Sequence, residues 1–319
     1  MSSKIQIFAN QALERGQKLP VEILVTFDKP TKVRGIRAVF LGREITQADF
    51  STTDLDGNSS SSTATQYQQI AKEEYLLLGQ ERKVCCSRIC DSMKTLVGGG
   101  SYELIPAGEK SFSIDVMIPD DAPPTMKGKH CRVKYEVQVS VDIPIKCNWN
   151  RVEELPVART HKNFAEAQPV HAFFPDEKGG SFWNKTFGKN VTLNLAVDQD
   201  KLRVGDQAMA MLTVKSPKPL NVNKIQFALV GKETTQARGY KDNAQIRHPL
   251  GQANSPGVIS SESVHEFGFS VPPLEWPISQ VGTNFEIALS IEVKLDVPWA
   301  KNPVIRVPIE IHPNVKAIV

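Results

Sequence analysis

The densest reactive grouping in this 319-residue chain is Cys85-Cys86-x-x-x-Cys90, flanked by Lys83, Arg88 and Lys94. Three chemistries suit thiols in that setting, and the residues alone leave all three open. The leading reading is plain reduced thiols on a loop or edge strand, because free cysteine packs as a small hydrophobe. Acylation is the second, since basic side chains beside a lipidated thiol favour an anionic membrane surface. Metal binding, with Cys131 or His130 as a further ligand, is the third, although the spacing is not the Cys-x-x-Cys of a zinc site. Ile89, Met93 and Leu96 are spaced for one or two amphipathic turns in the same stretch.

Catalytic patterns are missing elsewhere. His130, His161, His171, His248, His265 and His312 form no His-x-x-x-His pair, and there is no Gly-x-Ser-x-Gly elbow. Gly98-Gly99-Gly100 lacks the lysine and the strand–loop–helix setting of a phosphate loop. The expectation is therefore a protein that is not an enzyme, with no catalytic residue, no resident metal and no cofactor. Lys127, Lys129, Arg132 and Lys134 make a local positive patch, partly cancelled by Asp120 and Asp121. Such a patch is either an ordinary solvated face or a place for an acidic ligand.

The elements that must position these residues come from an internal repeat. Val33–Gln47 recurs as Val222–Gln236 at an offset of 189 residues (222 − 33). The match runs without a gap from Leu13/Leu202 to Ala48/Ala237, with twelve identical pairs. Unrelated segments agree at roughly one position in twenty. Two copies of one unit follow.

Both copies read as strands. Ile36, Ala38 and Phe40 alternate with polar or outward residues, and Ile225, Phe227 and Leu229 repeat the phase. Val133–Ile143 and Phe285–Val297 are long, clean alternations that end at Asp142-Ile-Pro144 and Asp296-Val-Pro298. These imply antiparallel strands with one wet face. Short opening strands are expected at 5–8 and 21–27, and closing ones at 152–157 and 304–311. The Ser/Thr-rich stretch 49–65 buries little and is expected to be a mobile loop. No segment keeps a helical period. The expected fold is all-β, with two consecutive immunoglobulin-like antiparallel sandwiches at 1–160 and 190–319. A connecting segment at 161–189 carries Phe173, Phe174, Phe182 and Trp183, and is expected to pack between the domains.

Apolar residues are 40%, charged residues 23% and net charge +3, with no basic stripe. That balance argues against nucleic acid as a partner. No run of about 18 apolar residues occurs, and the opening Met-Ser-Ser-Lys-Ile-Gln has no apolar signal region. Five cysteines, an odd number, suit reduced thiols in the cytoplasm.

Residues 103–144 carry Ala107-Gly-Glu-Lys-Ser-Phe112, Ile118-Pro-Asp-Asp-Ala-Pro-Pro124, Lys127-Gly-Lys-His130 and Val133-Lys-Tyr-Glu-Val137. Together with Val33-Arg-Gly-Ile36 and Gly42-Arg-Glu44, this order resembles the arrestin superfamily, and alpha-arrestins in particular. Leu202-Arg-Val-Gly-Asp206 is similar to the entry of the arrestin C-terminal domain. The resemblance implies two arrestin-like sandwiches and an adaptor or scaffold for cytosolic parts of membrane proteins in trafficking, endocytosis or signalling. It implies phosphorylated or acidic peptide cargo, the trafficking machinery as partner, and peripheral association with the plasma membrane or endosomes. It also implies phosphate-gathering basic residues on and beside the first strand, where Lys4 and Arg15 fit, with Lys127 and Lys129 as further candidates. Neither Pro-Pro pair (Pro123-Pro124-Thr-Met126, Pro272-Pro273-Leu-Glu275) carries the Tyr of a ligase-recruiting motif. With Val319 just past the last strand, a clathrin-adaptor tail is not expected. A retromer-type cargo subunit of the same fold is the related alternative. A structural or enzymatic β-sandwich unrelated to membrane cargo is the competing class.

Overall fold

The structure, a computed structural model, describes residues 4–9, 16–53, 56–79, 102–144, 148–157, 167–174, 191–253, 257–273, 279–298 and 302–312. All regular structure among the described residues is strand. The first copy supplies β1 (Lys4–Ala9), β2 (Lys18–Phe27), β3 (Thr31–Val33), β4 (Gly35–Thr53) and β5 (Ser59–Gly79). It continues with β6 (Glu103–Ile105), β7 (Gly108–Met117), β8 (Met126–Lys127), β9 (Cys131–Asp142) and β10 (Trp149–Leu155). Then come β11 (Val170–Phe174), β12 (Thr192–Val197), β13 (Lys201–Arg203), β14 (Gln207–Lys215), β15 (Leu220–Val222) and β16 (Lys224–Ala237). The chain closes with β17 (Tyr240–Ala253), β18 (Gly257–Ile259), β19 (Glu262–Ser270), β20 (Gln280–Val281), β21 (Phe285–Asp296) and β22 (Val304–His312).

The chain packs as two compact units. One comprises Met1–Ile45, Gln66–Met126 and Arg132–Thr160. The other comprises Thr46–Thr65, Lys127–Cys131 and His161–Val319. The second unit thus takes in the far ends of β4 and β5 and the turn between β8 and β9.

The repeat is written in the sheet topology. In the first copy β1-β2-β7 form one sheet and β10-β9-β4-β5 the other, with β8 beside β9 and β3 paired with β6. In the second, β12-β14-β19 match the first sheet and β22-β21-β16-β17 the other, with β20 beside β21 and β15 paired with β18. Register agrees: Val21 faces Ile114 as Ala210 faces Phe267. Turn hydrogen bonds agree as well. Arg34 N–H donates to Asp142 O and Asn223 N–H to Asp296 O, each at 2.8 Å. Gly16 and Gly205 both adopt positive φ, 73° and 90°, a region where only glycine is unstrained. Their amides donate to Ile118 O at 2.8 Å and Val271 O at 2.9 Å.

Period-two alternation fills each sandwich. Ile36, Ala38 and Phe40 are buried as Ile225, Phe227 and Leu229 are. In the first unit Phe40 stacks on Tyr135 at 6.2 Å between centroids. In the second, Leu195, Leu212, Phe227 and Ile291 belong to one continuous core.

Two expectations change. Residues 49–65 are not a loop except at the tip, because β4 runs to Thr53 and β5 begins at Ser59. Hydroxyls pair across these strands, Thr52 with Ser60 at 2.8 Å and Thr53 with Ser59 at 3.2 Å. Ala48 and Ala64 are buried with Ala237. Residues 170–174 are also more than a connector. They form β11, which adds a fourth strand beside β12. Phe182 and Trp183 lie outside the described residues.

Candidate functional site

The second copy shows what the first leaves open. β12 is covered along its outer edge by β11, antiparallel, with Val170 opposite Val197 and Phe174 opposite Leu193. The equivalent strand β1 pairs with β2 alone among the described residues. Its other edge faces β10, the terminal strand of the opposite sheet, across a groove of about 590 Å³. Lys4, Ile5, Gln6, Ile7 and Phe8 line one wall, and Trp149, Asn150, Arg151 and Glu153 the other. A strand's unpaired edge leaves main-chain donors and acceptors ready for another chain.

The groove has an apolar floor and charged ends. Ile5 and Ile7 point into the sandwich, while Phe8 is 44% exposed. The Trp149 ring lies 5.7 Å from that of Phe27, which fixes it from below. Lys4 is exposed and faces Thr26 across the sheet. Arg151 donates to Glu153 at 2.8 Å on the same strand. That pair is exposed enough to be worth little, so Arg151 can exchange partners with an incoming acid at low cost.

The sequence candidates scatter. Lys4 is on the groove. Arg15, Cys85, Cys86 and Cys90 lie outside the described residues. Lys127 and Lys129 are exposed but belong to the second compact unit. Their neighbours in the patch are occupied, Arg132 by Glu154 and Lys134 by Glu136, each at 2.7 Å. Trp149 and Arg151 are not among the sequence candidates, because the strand expected at 152–157 in fact opens at Trp149. The alternation of Trp149, Arg151 and Glu153 was the available signal.

Among the described residues no helix is long and apolar enough to cross a membrane.

Comparison with known proteins agrees with this architecture. Residues 8–163 match the family Arrestin (or S-antigen), N-terminal domain. Over 173 residues the chain is 20% identical to "Arrestin domain-containing protein 15" of Caenorhabditis elegans. That alignment covers 51% of this chain and 45% of the relative, so the chain spans under half the length of the protein it matches. Two sandwiches with a shared strand plan, the first matched over residues 8–163 by the arrestin N-terminal domain, define the class as arrestin-like.

Proposed function

We propose that the chain is a non-catalytic adaptor that captures cytosolic segments of membrane proteins by adding them as a strand to β1. The carrying observation is internal. The second copy covers the same edge with its own strand, β11, whose Val170, Ala172 and Phe174 pack on the core while His171 and Phe173 face out. An extended cargo segment along Ile5–Ala9 would use the same geometry. Main-chain bonds supply affinity and alternate side chains supply selectivity. Lys4 and Arg151 favour acidic or phosphorylated residues beside the strand. Arg15 remains a candidate for the same role, and recruitment to the plasma membrane or endosomes follows from where such cargo resides. Lys127 and Lys129 are candidates for a separate acidic contact.

Fluorescence anisotropy with an extended peptide of alternating apolar and phosphoserine residues tests this. Binding should weaken as salt rises, and the double change Lys4→Ala, Arg151→Ala should weaken it roughly tenfold or more. Methylating alternate peptide amides should abolish it, since those amides would bond to the β1 edge. Equal affinity for the methylated peptide and for the double variant would sink this reading.

A further inference from the structure

Three side chains from separate parts of the sequence converge within the second unit. Asp49 comes from β4, His130 from the turn between β8 and β9, and Asp242 from β17. One ligand atom from each lies within 4.8 Å of the others, and His130 Nε2 is 3.9 Å from Asp242 Oδ2. The main chain around them is tightly held. His130 donates its amide to Glu233 Oε1 at 2.6 Å, and its carbonyl accepts the Gln47 amide at 2.7 Å. Asp242 accepts the amides of Asp49 at 3.1 Å and Asn243 at 2.7 Å. The Asp49 amide above all holds the Asp242 carboxyl below the usual range, although burial opposes it. Asp49 uses Oδ1 to accept the Thr63 hydroxyl at 2.6 Å.

The fold does not require these residue types. The positions equivalent to Asp49 and His130 in the second copy hold Arg238 and Asn284, a cation and an amide. The same scaffold therefore carries an imidazole beside two carboxylates in only one of its two settings.

We propose that Asp49, His130 and Asp242 bind a divalent transition-metal ion, with zinc the best match. Magnesium and calcium favour all-oxygen shells, whereas first-row metals accept imidazole with carboxylate. Bonds of about 2.0–2.2 Å to a tetrahedral centre place ligand atoms roughly 3.4 Å apart. The observed spacing needs side-chain adjustments of about an ångström. Three protein ligands leave the fourth position to water. The ion would tie the far end of β4 to β17 and to the β8–β9 turn, and so stabilise the unit in proportion to its occupancy.

The test uses the full chain with Cys85→Ser, Cys86→Ser and Cys90→Ser, so that the thiols cannot compete. After chelator treatment it is titrated calorimetrically with zinc chloride, and its thermal midpoint is read with zinc and with magnesium. Saturable binding of one zinc per chain, with a raised midpoint that magnesium does not reproduce, is expected. His130→Asn, which installs the residue of the second copy, and Asp242→Asn should each weaken zinc at least about tenfold. Asp49→Asn, at an exposed position, should do the same and carries the test if the other two disturb folding. Absence of saturable binding, equal affinity in Asp49→Asn, or an equal response to magnesium overturns the proposal and leaves His130 and Asp242 as neighbouring polar side chains.

Discussion

Thr46 and Thr235 occupy equivalent positions in the two copies, and each donates its hydroxyl to the carbonyl of the residue after the other. Thr46 Oγ1 lies 2.8 Å from Gln236 O and Thr235 Oγ1 lies 2.7 Å from Gln47 O. Both threonines are buried. The following amides repeat the symmetry, Gln47 N–H to His130 O at 2.7 Å and Gln236 N–H to Asn284 O at 2.8 Å. The duplicated Thr-Gln is thus used reciprocally inside the second unit.

Thr46→Val and Thr235→Val should each destabilise the protein by about 1 kcal/mol, because valine keeps the shape and deprives a buried carbonyl of a donor. Thr→Ser keeps the donor and should cost less than Thr→Val at each position. Urea unfolding of the four variants checks this. Serine variants no better than valine would show that the methyl group, not the hydroxyl, matters.

Glu233 is fully buried, and its two oxygens accept the amides of Lys129 and His130 at 2.8 and 2.6 Å. Gly128 makes room for it, since a Cβ there would stand 2.4 Å from Glu233 Oε2 and 2.8 Å from Cys131 Sγ. Gly128→Ala should therefore cost about 1–3 kcal/mol as an overpacked site. Glu233→Gln keeps only one accepting oxygen and should cost about 1–3 kcal/mol, with Glu233→Ala worse. Thermal unfolding with matched denaturant curves is the measurement.

Glu136 on β9 is buried against Lys134 at 2.7 Å, Gln138 at 2.6 Å and Arg43. Burial alone would push its carboxyl up. The bonds from Lys134 and Gln138, with the charges of Arg43 and Lys134, outweigh burial and hold it below the usual range. The native state then binds fewer protons than the unfolded chain. This contribution is present above the unfolded value near pH 4.3 and is lost as pH falls through the native value. Glu136→Gln should flatten that acid limb of a stability–pH curve and lower stability at pH 7.

His265 behaves oppositely in charge but alike in sign. Burial pushes its imidazole down, and it shares a hydrogen bond with Ser263 at 2.9 Å. The unfolded chain takes up the proton first, so stability is full above about pH 6.5 and declines as pH drops towards the native value. A histidine titration by NMR should place His265 below its ordinary range. His265→Gln should remove its share of the slope.

Much of the fold was legible because the repeat carries register. Once Val33 was matched to Val222, the alternating strands of one copy located those of the other. β11 was not legible. Phe173 and Phe174 sit among prolines and glycines, and five residues give too little alternation to outweigh those turn signals. The ends of β4 and β5 were missed because Ser and Thr pair there through hydroxyls, leaving no apolar period to see. At the groove, Lys4 could be named from its place before the first strand. The alternation of Trp149, Arg151 and Glu153 could place Arg151 on a strand, but not opposite β1, since only tertiary packing brings β10 across the groove from it.

The far end of the β4–β5 hairpin has a history as well as a place. Its residues, Thr46–Thr65, leave the ribosome about 160 residues ahead of β16, the strand that their threonine and alanine contacts require. At ordinary rates of synthesis that is a wait of roughly ten seconds or more. An apolar hairpin end exposed for so long would pair with any neighbouring edge. Thr52 and Thr53 instead pair with Ser60 and Ser59 within the hairpin itself, a pairing that does not need the untranslated partner. The polarity that disguised this segment as a loop would also make it a poor template for aggregation before β16 is synthesised.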